Sequence, residues 1–480
     1  MTSRIASMAR RPLACALTLA LMAPGAVLAQ TAKEKELEAR VAQLEAMVQT
    51  LMERQQAPVV AAPPPPPPPP SGPVTSAPAG VASTTQPKFP GTPGSGPVAQ
   101  PVAVQPQNKP IQGITLTPGA NPNTTIRFGG FLKADFLTTK TYDGALGEGA
   151  VGRLLYIPQQ TPVGGKAGGI DTDFHAKFSR FNVGVDTITE DGNRMTGFIE
   201  MDFFGSDNVS NQINNLHGST LRHAYLSWNN WLAGQTWSNF IDATNFPEAA
   251  DILGPTDGVL FSRRAQIRYT KGGLSLSAEN PETLTSAYNG GGATLASDRG
   301  GMPDLTVRYA WKGDWGSFGM AAIAREFATQ TALTDDTAIG GAVTAGGKWI
   351  LSPTNAISYQ ATYGKGIASY MGLGSGPDVE VDAQGDLHAI DTVAGWVGWN
   401  HKFTPTLRST MMYSIVDMDR DIAHTGPLGT TRMQSLRANL FYSPLPKIDI
   451  GAEVMYGRRN VVSGASGDIS RLQFTAKYSF

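Results

Sequence analysis

From about residue 124 to the end of the chain, apolar and polar residues alternate in short stretches separated by turn chemistry. The final ten residues, Arg471 to Phe480, show the pattern most plainly. Leu472, Phe474, Ala476, Tyr478 and Phe480 are apolar, and Arg471, Gln473, Thr475, Lys477 and Ser479 are polar. Period two places alternate side chains on opposite faces, so this is a β-strand with one greasy and one wet face. Soluble chains often end in a frayed polar tail; this one ends on an aromatic ring. An amphipathic closing strand with a terminal Phe is characteristic of outer-membrane β-barrels. An ordinary sandwich strand that happens to be last is the bland alternative.

The same alternation predicts sixteen strands. The first spans Thr125 to Phe136. Phe178 to Thr187 and Arg194 to Phe204 follow, meeting at the turn Glu190-Asp191-Gly192-Asn193. Leu221 to Asn229 and Trp231 to Trp237 meet at Asn229-Asn230, and Arg263 to Thr270 and Leu274 to Glu279 meet at Lys271-Gly272-Gly273, a hairpin signal. Asp304 to Trp311 pairs with Trp315 to Glu326, and Ala342 to Leu351 with Ala356 to Ile367. Thr392 to His401 pairs with Leu407 to Asp417, Thr430 to Tyr442 with Ile448 to Tyr456, and Ile469 to Phe480 closes the set. Long connections are expected at 139–173, 205–218, 238–260, 281–302, 327–341, 368–390, 418–429 and 457–468. Tight turns alternating with long loops mark an outer-membrane barrel, and sixteen strands leave an aqueous channel. Trp228, Trp231, Trp311, Trp315, Trp399, Phe403, Tyr442 and Phe480 cluster at the short-turn ends, where an interfacial aromatic girdle belongs.

The first 123 residues read differently. Arg4, Arg10 and Arg11 precede an apolar run, Leu13 to Leu21, and Val27-Leu28-Ala29 fits a cleavage site, so residues 1–29 are expected to be a signal peptide. Leu37, Val41, Leu44, Val48 and Leu51 form a heptad seam within 30–56, predicting a short coiled coil. Lys33 and Arg40 stand five residues ahead of Glu38 and Glu45, the spacing of pairs that cross between parallel helices. Val at a with Leu at d leans towards dimers, but about three heptads is short, and a larger assembly could override that leaning. Residues 57–123 are a Pro-rich spacer; the run Pro63 to Pro70 would extend ~25 Å as polyproline II. The domain plan is therefore signal, periplasmic coiled coil, spacer and a barrel over 124–480.

Composition narrows the function. The one cysteine, Cys15, lies in the signal segment, so no disulfide or thiolate metal site is expected in the mature chain. The formal net charge of -1 gives no reason to expect nucleic acid as a partner. The six histidines, His175, His217, His223, His388, His401 and His424, are dispersed, and none sits in a recognisable nucleophile or metal setting. Neither an enzyme nor a cofactor is expected.

If the apolar faces meet lipid, the opposite faces line the pore, because an Arg or Lys on the lipid face near the midplane costs ~2–4 kcal/mol. Parity then places Lys133, Arg180, His223, Arg264, Arg268, Arg308 and Arg437 on the pore wall. Asp135, Glu200, Asp202, Glu279, Arg325, Lys348, Glu453, Arg471 and Lys477 share it. Most of these could simply solvate a water-filled lumen. The connection 238–260 is sharper. It carries Phe240, Ile241, Phe246, Ile252 and Leu253, too apolar for a solvent-facing loop, together with Asp242, Glu248, Asp251 and Asp257. It follows the fifth strand, where general porins fold a loop inward. Acidic residues there, opposite Arg263, Arg264 and Arg268, would set up a transverse field that selects and orients charged solutes.

Three stretches carry a family resemblance: Leu221 to Asp242, Ser262 to Tyr269 and Phe128 to Asp135. With the layout of signal, coiled coil, spacer, sixteen strands and terminal Phe, they resemble the DcaP-type trimeric outer-membrane porins. That resemblance implies a homotrimer of sixteen-stranded antiparallel barrels set in outer-membrane lipid and lipopolysaccharide. It implies passage of small organic anions, dicarboxylates being the type substrate. A second reading is a structural tether whose coiled-coil arm contacts the periplasm or peptidoglycan; deleting residues 33–110 would silence a tether and leave a porin conducting.

Overall fold

The computed structural model describes residues 123–205, 218–290, 294–297, 299–331 and 334–480. The signal, the coiled coil and all but the last residue of the spacer lie outside the described residues. Sixteen antiparallel strands close into a barrel. They are β1 Thr124–Thr141, β2 in two pieces (Ile170–His175 and Arg180–Ile188), β3 Arg194–Gly205, β4 Gly218–Trp228, β5 Trp231–Trp237, β6 Arg263–Lys271, β7 Leu274–Glu279 and β8 Asp304–Gly313. They continue with β9 Gly316–Gln330, β10 Asp335–Ser352, β11 Asn355–Lys365, β12 Asp391–Lys402, β13 Leu407–Met418, β14 Thr430–Tyr442, β15 Ile448–Val461 and β16 Ser466–Ser479. Each strand pairs with its neighbours in chain order, and β1 pairs with β16 from Phe131↔Ser479 to Thr141↔Ile469. Both pieces of β2 pair with β1.

The period-two rule explains the wall. On β1, Leu132 and Phe136 are exposed outward while Lys133, Asp135 and Thr139 are buried inward. On β16, Leu472 and Phe474 face out while Arg471, Gln473 and Thr475 face in. The short-turn ends carry exposed Trp228, Trp231, Trp311, Trp315, Trp349, Trp399, Phe403 and Tyr442, so the aromatic girdle is present. Among the described residues no helix is long and apolar enough to cross a membrane; the strands do the crossing. Pairing β1 with β16 closes the cylinder, so the first and last strands do not present an open sheet edge to lipid.

At three connections the strand boundaries depart from the alternation. β2 begins at Ile170 rather than Phe178, broken at 176–179. β9 and β10 reach Gln330 and start at Asp335, so the expected long loop 327–341 is mostly hairpin. Its Gly340-Gly341 pair reads as loop, but Gly340 lies in the ladder opposite Arg325, and the Phe327 ring occupies the space a Cβ there would need. Likewise β15 runs to Val461 and β16 starts at Ser466, shrinking the last connection.

The apolar core sits inside the barrel. Phe240, Ile241, Leu253, Val259 and Leu260 of the loop after β5 pack with Trp237, Ile367, Tyr370, Met371, Trp396, Val416 and Met433. At the long-loop end, Thr283–Ser286, Thr294–Ser297, Val379–Val381 and Leu387–Ala389 form a separate four-stranded sheet.

Candidate constriction site

The segment from Ser238 to Ser262 leaves β5 and runs through the lumen. Its start is fixed on the near wall: the Asn239 backbone N–H donates to Glu279 Oε1 (2.7 Å) and its side-chain amide donates to Thr306 Oγ1 (2.9 Å). A 3-10 turn, Ala243–Asn245, is capped by Asp242, which accepts from the Thr244 backbone N–H (3.1 Å). The segment then reaches β13, β14 and β15, half-way round the barrel. The Ala250 N–H donates to Glu453 Oε2 (3.0 Å), and the Gly258 N–H donates to Ser414 Oγ (2.7 Å). A side chain at Gly258 would strike the Ile415 and Gly395 backbone at 2.3 and 2.4 Å, so only glycine allows this approach. On the return, an isolated bridge joins Leu260 to Met371, so the loop 366–390 helps to fill the lumen.

The four loop carboxylates have separate partners. Asp242 accepts from Arg308 of β8 at 2.8 Å. Glu248 takes a two-pronged contact from Arg408 of β13, both at 2.6 Å, and Arg408 also reaches Asp449 (2.9 Å). Such fork contacts are strong and fix geometry as well as charge. Asp251 pairs with Arg437 of β14, which also holds Glu453 (3.3 Å) and the Thr256 hydroxyl (2.9 Å). Among the described residues Asp257 has no arginine within ion-pair reach; it accepts from the Tyr156 hydroxyl (2.9 Å) and from Ser435. Burial pushes the Asp257 carboxyl up to about 6.

The loop acids are therefore held across the lumen from Arg264 and Arg268 rather than in contact with them. Three of the four reach the far wall, and only Asp242 stays on the β8 side. Arg264 instead pairs with Glu282 and lies over the Tyr370 ring (4.9 Å). Arg268 donates to the Trp237 carbonyl and to Gln266 Oε1 (2.8 Å). Arg263 stacks on Trp237 (4.3 Å) and Phe261 (5.1 Å). Arg263, Arg268 and Arg471 have no carboxylate within 4.0 Å among the described residues.

The remaining sequence candidates fall in two groups. Lys133 pairs with Asp135 on β1 and lies over Phe178 (5.4 Å). Arg180 and His223 meet around Glu200 and Asp202: Arg180 approaches them at 3.4 and 3.7 Å, and His223 Nε2 stands 4.0 Å from Glu200. His223 Nδ1 is 3.0 Å from the Thr236 hydroxyl.

Two residues escaped the sequence reading. Arg222 donates to Glu200 (3.0 Å) and Asp202 (2.7 Å). A register shift opposite Glu200/Met201 turns both Arg222 and His223 inward, and parity assigns only one of two consecutive residues to the lumen. Arg408, next to the turn at Pro405, was passed over because nothing local marks it as the partner of Glu248, 160 residues away.

Known proteins resemble this architecture. The sequence pattern of the DcaP outer membrane protein family matches residues 161–480. The crystal structure of the outer membrane channel DcaP of Acinetobacter baumannii is similar at a TM-score of 0.64 and 28% identity, covering 77% of this chain and 100% of that one. OmpT of Vibrio cholerae is more distant, with a TM-score of 0.45, 12% identity and coverage of 75% and 99%. The anion-selective porin from Comamonas acidovorans stands at 0.45 and 12%, with coverage of 74% and 100%. No curated protein matches the chain.

Proposed function

The chain belongs to the DcaP outer membrane protein family and is an outer-membrane channel; on that premise we propose that it passes small hydrophilic solutes with a leaning towards organic anions, dicarboxylates among them. One observation carries the leaning. Arg263, Arg268 and Arg471, inside the barrel, have no carboxylate within 4.0 Å among the described residues, whereas three of the four loop acids are each held by an arginine. Guanidinium groups without a carboxylate partner leave a local excess of positive charge in the barrel interior, which favours anions over cations there.

The test is planar-bilayer recording of the purified protein. In a salt gradient the reversal potential is expected on the chloride side, and succinate should compete with the chloride current. A reversal potential favouring potassium would overturn the reading. The working unit is a homotrimer, expected to insert as three equal conductance steps. We further propose that the arm preceding the barrel lies on the periplasmic side, a reading supported by the even strand count that puts both barrel ends on the short-turn side.

A further inference from the structure

Connections between strands normally run over the surface, because a buried loop must satisfy its backbone N–H and C=O groups without water. The connection after β11 does the opposite. Over residues 366–381 only Ser369, Leu373 and Gly374 are not buried. Its backbone finds partners on three sides. Arg325 of β9 donates to the Gly366 carbonyl, and Arg264 of β6 donates to the Ser369 carbonyl (3.4 Å). The loop after β5 supplies the next pair. The Phe261 N–H donates to the Tyr370 carbonyl (2.8 Å) and the Gly372 N–H donates to the Val259 carbonyl (2.9 Å), on either side of the bridge between Leu260 and Met371. Gln159, from the loop after β1, donates to the Gly374 carbonyl (2.9 Å).

Side chains tie the same segment to the wall. The buried Tyr370 hydroxyl donates to Asp304 of β8 (2.8 Å), with Glu279 of β7 at 3.3 Å. Asp378, fully buried, accepts from Arg325 (3.0 Å) and from the N–H groups of Ser369 (2.9 Å) and Leu284 (2.9 Å). Arg325 also donates to Asp304 (3.1 Å), so one guanidinium joins two strands to the loop. Further along, a Cβ at Gly376 would lie 2.8 Å from the Met418 sulfur of β13. A Cβ at Gly372 would strike the Thr256 carbonyl at 2.4 Å. The segment therefore runs inside the barrel from the β6–β9 wall to β13, laid against the β5 loop. That loop is itself pressed onto the β12 and β13 backbone at Gly258. A loop that only covered the rim would bury against other loops, not against the inner faces of five strands.

We propose that residues 366–378 are a second constriction element. Zipped to residues 259–261, they form a two-segment strap across the lumen, positioned by Tyr370 and Asp378, and the strap sets the size limit for solutes. A closed barrel offers a solute no route but its lumen, so a segment seated between two of its walls narrows every path through it. Pore diameter then decides what passes: small acids are admitted and oligosaccharides are held back. The inference deepens the channel reading and rests on it, not on the anion leaning. Conductance and size exclusion read the strap, whereas the reversal potential reads the leaning.

The test is to remove the strap and then to restore it. The ends of the segment lie together: the Gly366 N–H donates to the Ile390 carbonyl (2.9 Å), and the Ile390 N–H donates to the Asp378 carbonyl (3.0 Å). Residues 368–376 can therefore be excised and the chain rejoined through a Gly-Gly link. Planar-bilayer recording in potassium chloride and liposome swelling in raffinose give the readout, on protein that still migrates as a folded barrel before heating. Excision should roughly double the single-channel conductance and admit raffinose, a trisaccharide that the wild type excludes. Tyr370→Ala, which keeps the segment, should raise the conductance by a smaller factor. Adding Leu260→Cys and Met371→Cys, which face each other in the bridge, should return it to the wild-type value when oxidised and not when reduced. A general loosening of the barrel would not respond to the oxidant. A folded excision channel with wild-type conductance and exclusion overturns the proposal, as does a wild type already permeable to raffinose. So does a Tyr370→Ala channel with unchanged conductance, or one whose rise survives the oxidised pair.

Discussion

Two walls of the same lumen handle arginine in opposite ways. On β13 and β14, Arg408 and Arg437 each grip a loop carboxylate, and the loop crosses the lumen to reach them. On β6, Arg263 and Arg268 hold no carboxylate; they lean on aromatic faces, a backbone carbonyl and a glutamine. The residues are chemically alike, but the far-wall pair anchors the loop and the near-wall pair keeps its charge uncompensated. A channel's electrostatics therefore follows from which charges are paired, not from how many line the pore. Burying a charge without a partner is costly, so the unpaired arginines are retained at the expense of stability.

The far wall breaks most severely. Arg437→Met leaves Asp251 and Glu453 buried without their cation, a loss of ~3–5 kcal/mol for one broken buried pair. The loop should loosen, and single-channel recording should show a larger and noisier conductance from a barrel that still migrates as folded before heating. Wild-type conductance would mean that Arg408 and the Gly258 contact suffice to hold the loop.

The near wall sharpens the contrast. Arg263→Gln with Arg268→Gln should move the reversal potential towards potassium. Arg264→Gln should move it less, because Glu282 already offsets that charge. Equal shifts from Arg264 and Arg268 would erase the distinction between paired and unpaired arginines.

Asp257 gives a smaller effect. Its folded value, about 6, lies above the ~3.9 of a free aspartate. Its contribution to stability is therefore fully present below pH ~4 and lost as pH rises through 6. Between pH 7 and pH 5 the thermal midpoint, followed by tryptophan fluorescence, should rise, and Asp257→Asn should flatten that slope. The smallest effect belongs to Asp417 and Arg432, an exposed pair on β13 and β14. Asp417→Ala should cost at most ~1 kcal/mol in denaturant titration and leave conductance unchanged.

The wall was legible in the sequence because lipid enforces it. A misplaced charge on Leu132 or Phe474 would face hydrocarbon, so alternation persists over each strand and one strand sets the phase of the others. What the sequence hid has three physical causes. At Arg222 an extra residue in the ladder resets the phase, and no composition signal marks it. At Gly340 the glycine serves a neighbouring ring rather than a turn. Pairing inside the lumen joins residues far apart in the chain, such as Asp251 and Arg437, 186 residues apart, and alternation along a strand carries no information on that distance. The inward loop was detectable by its greasy residues, but which wall its carboxylates would choose was not.

The seam between β1 and β16 has a consequence for assembly. Phe131 lies opposite Ser479, and the Phe480 backbone N–H donates to the Gly130 carbonyl (3.1 Å). The two strands that close the cylinder are thus the first and the last of the sixteen along the chain. Until both are present, any partly folded sheet keeps two open edges, which are templates for pairing with other chains. Closing a contact across so many residues is also slow. The barrel's cooperativity is concentrated in its final ladder, so loss of the last strand would cost the whole cylinder rather than one sixteenth of it.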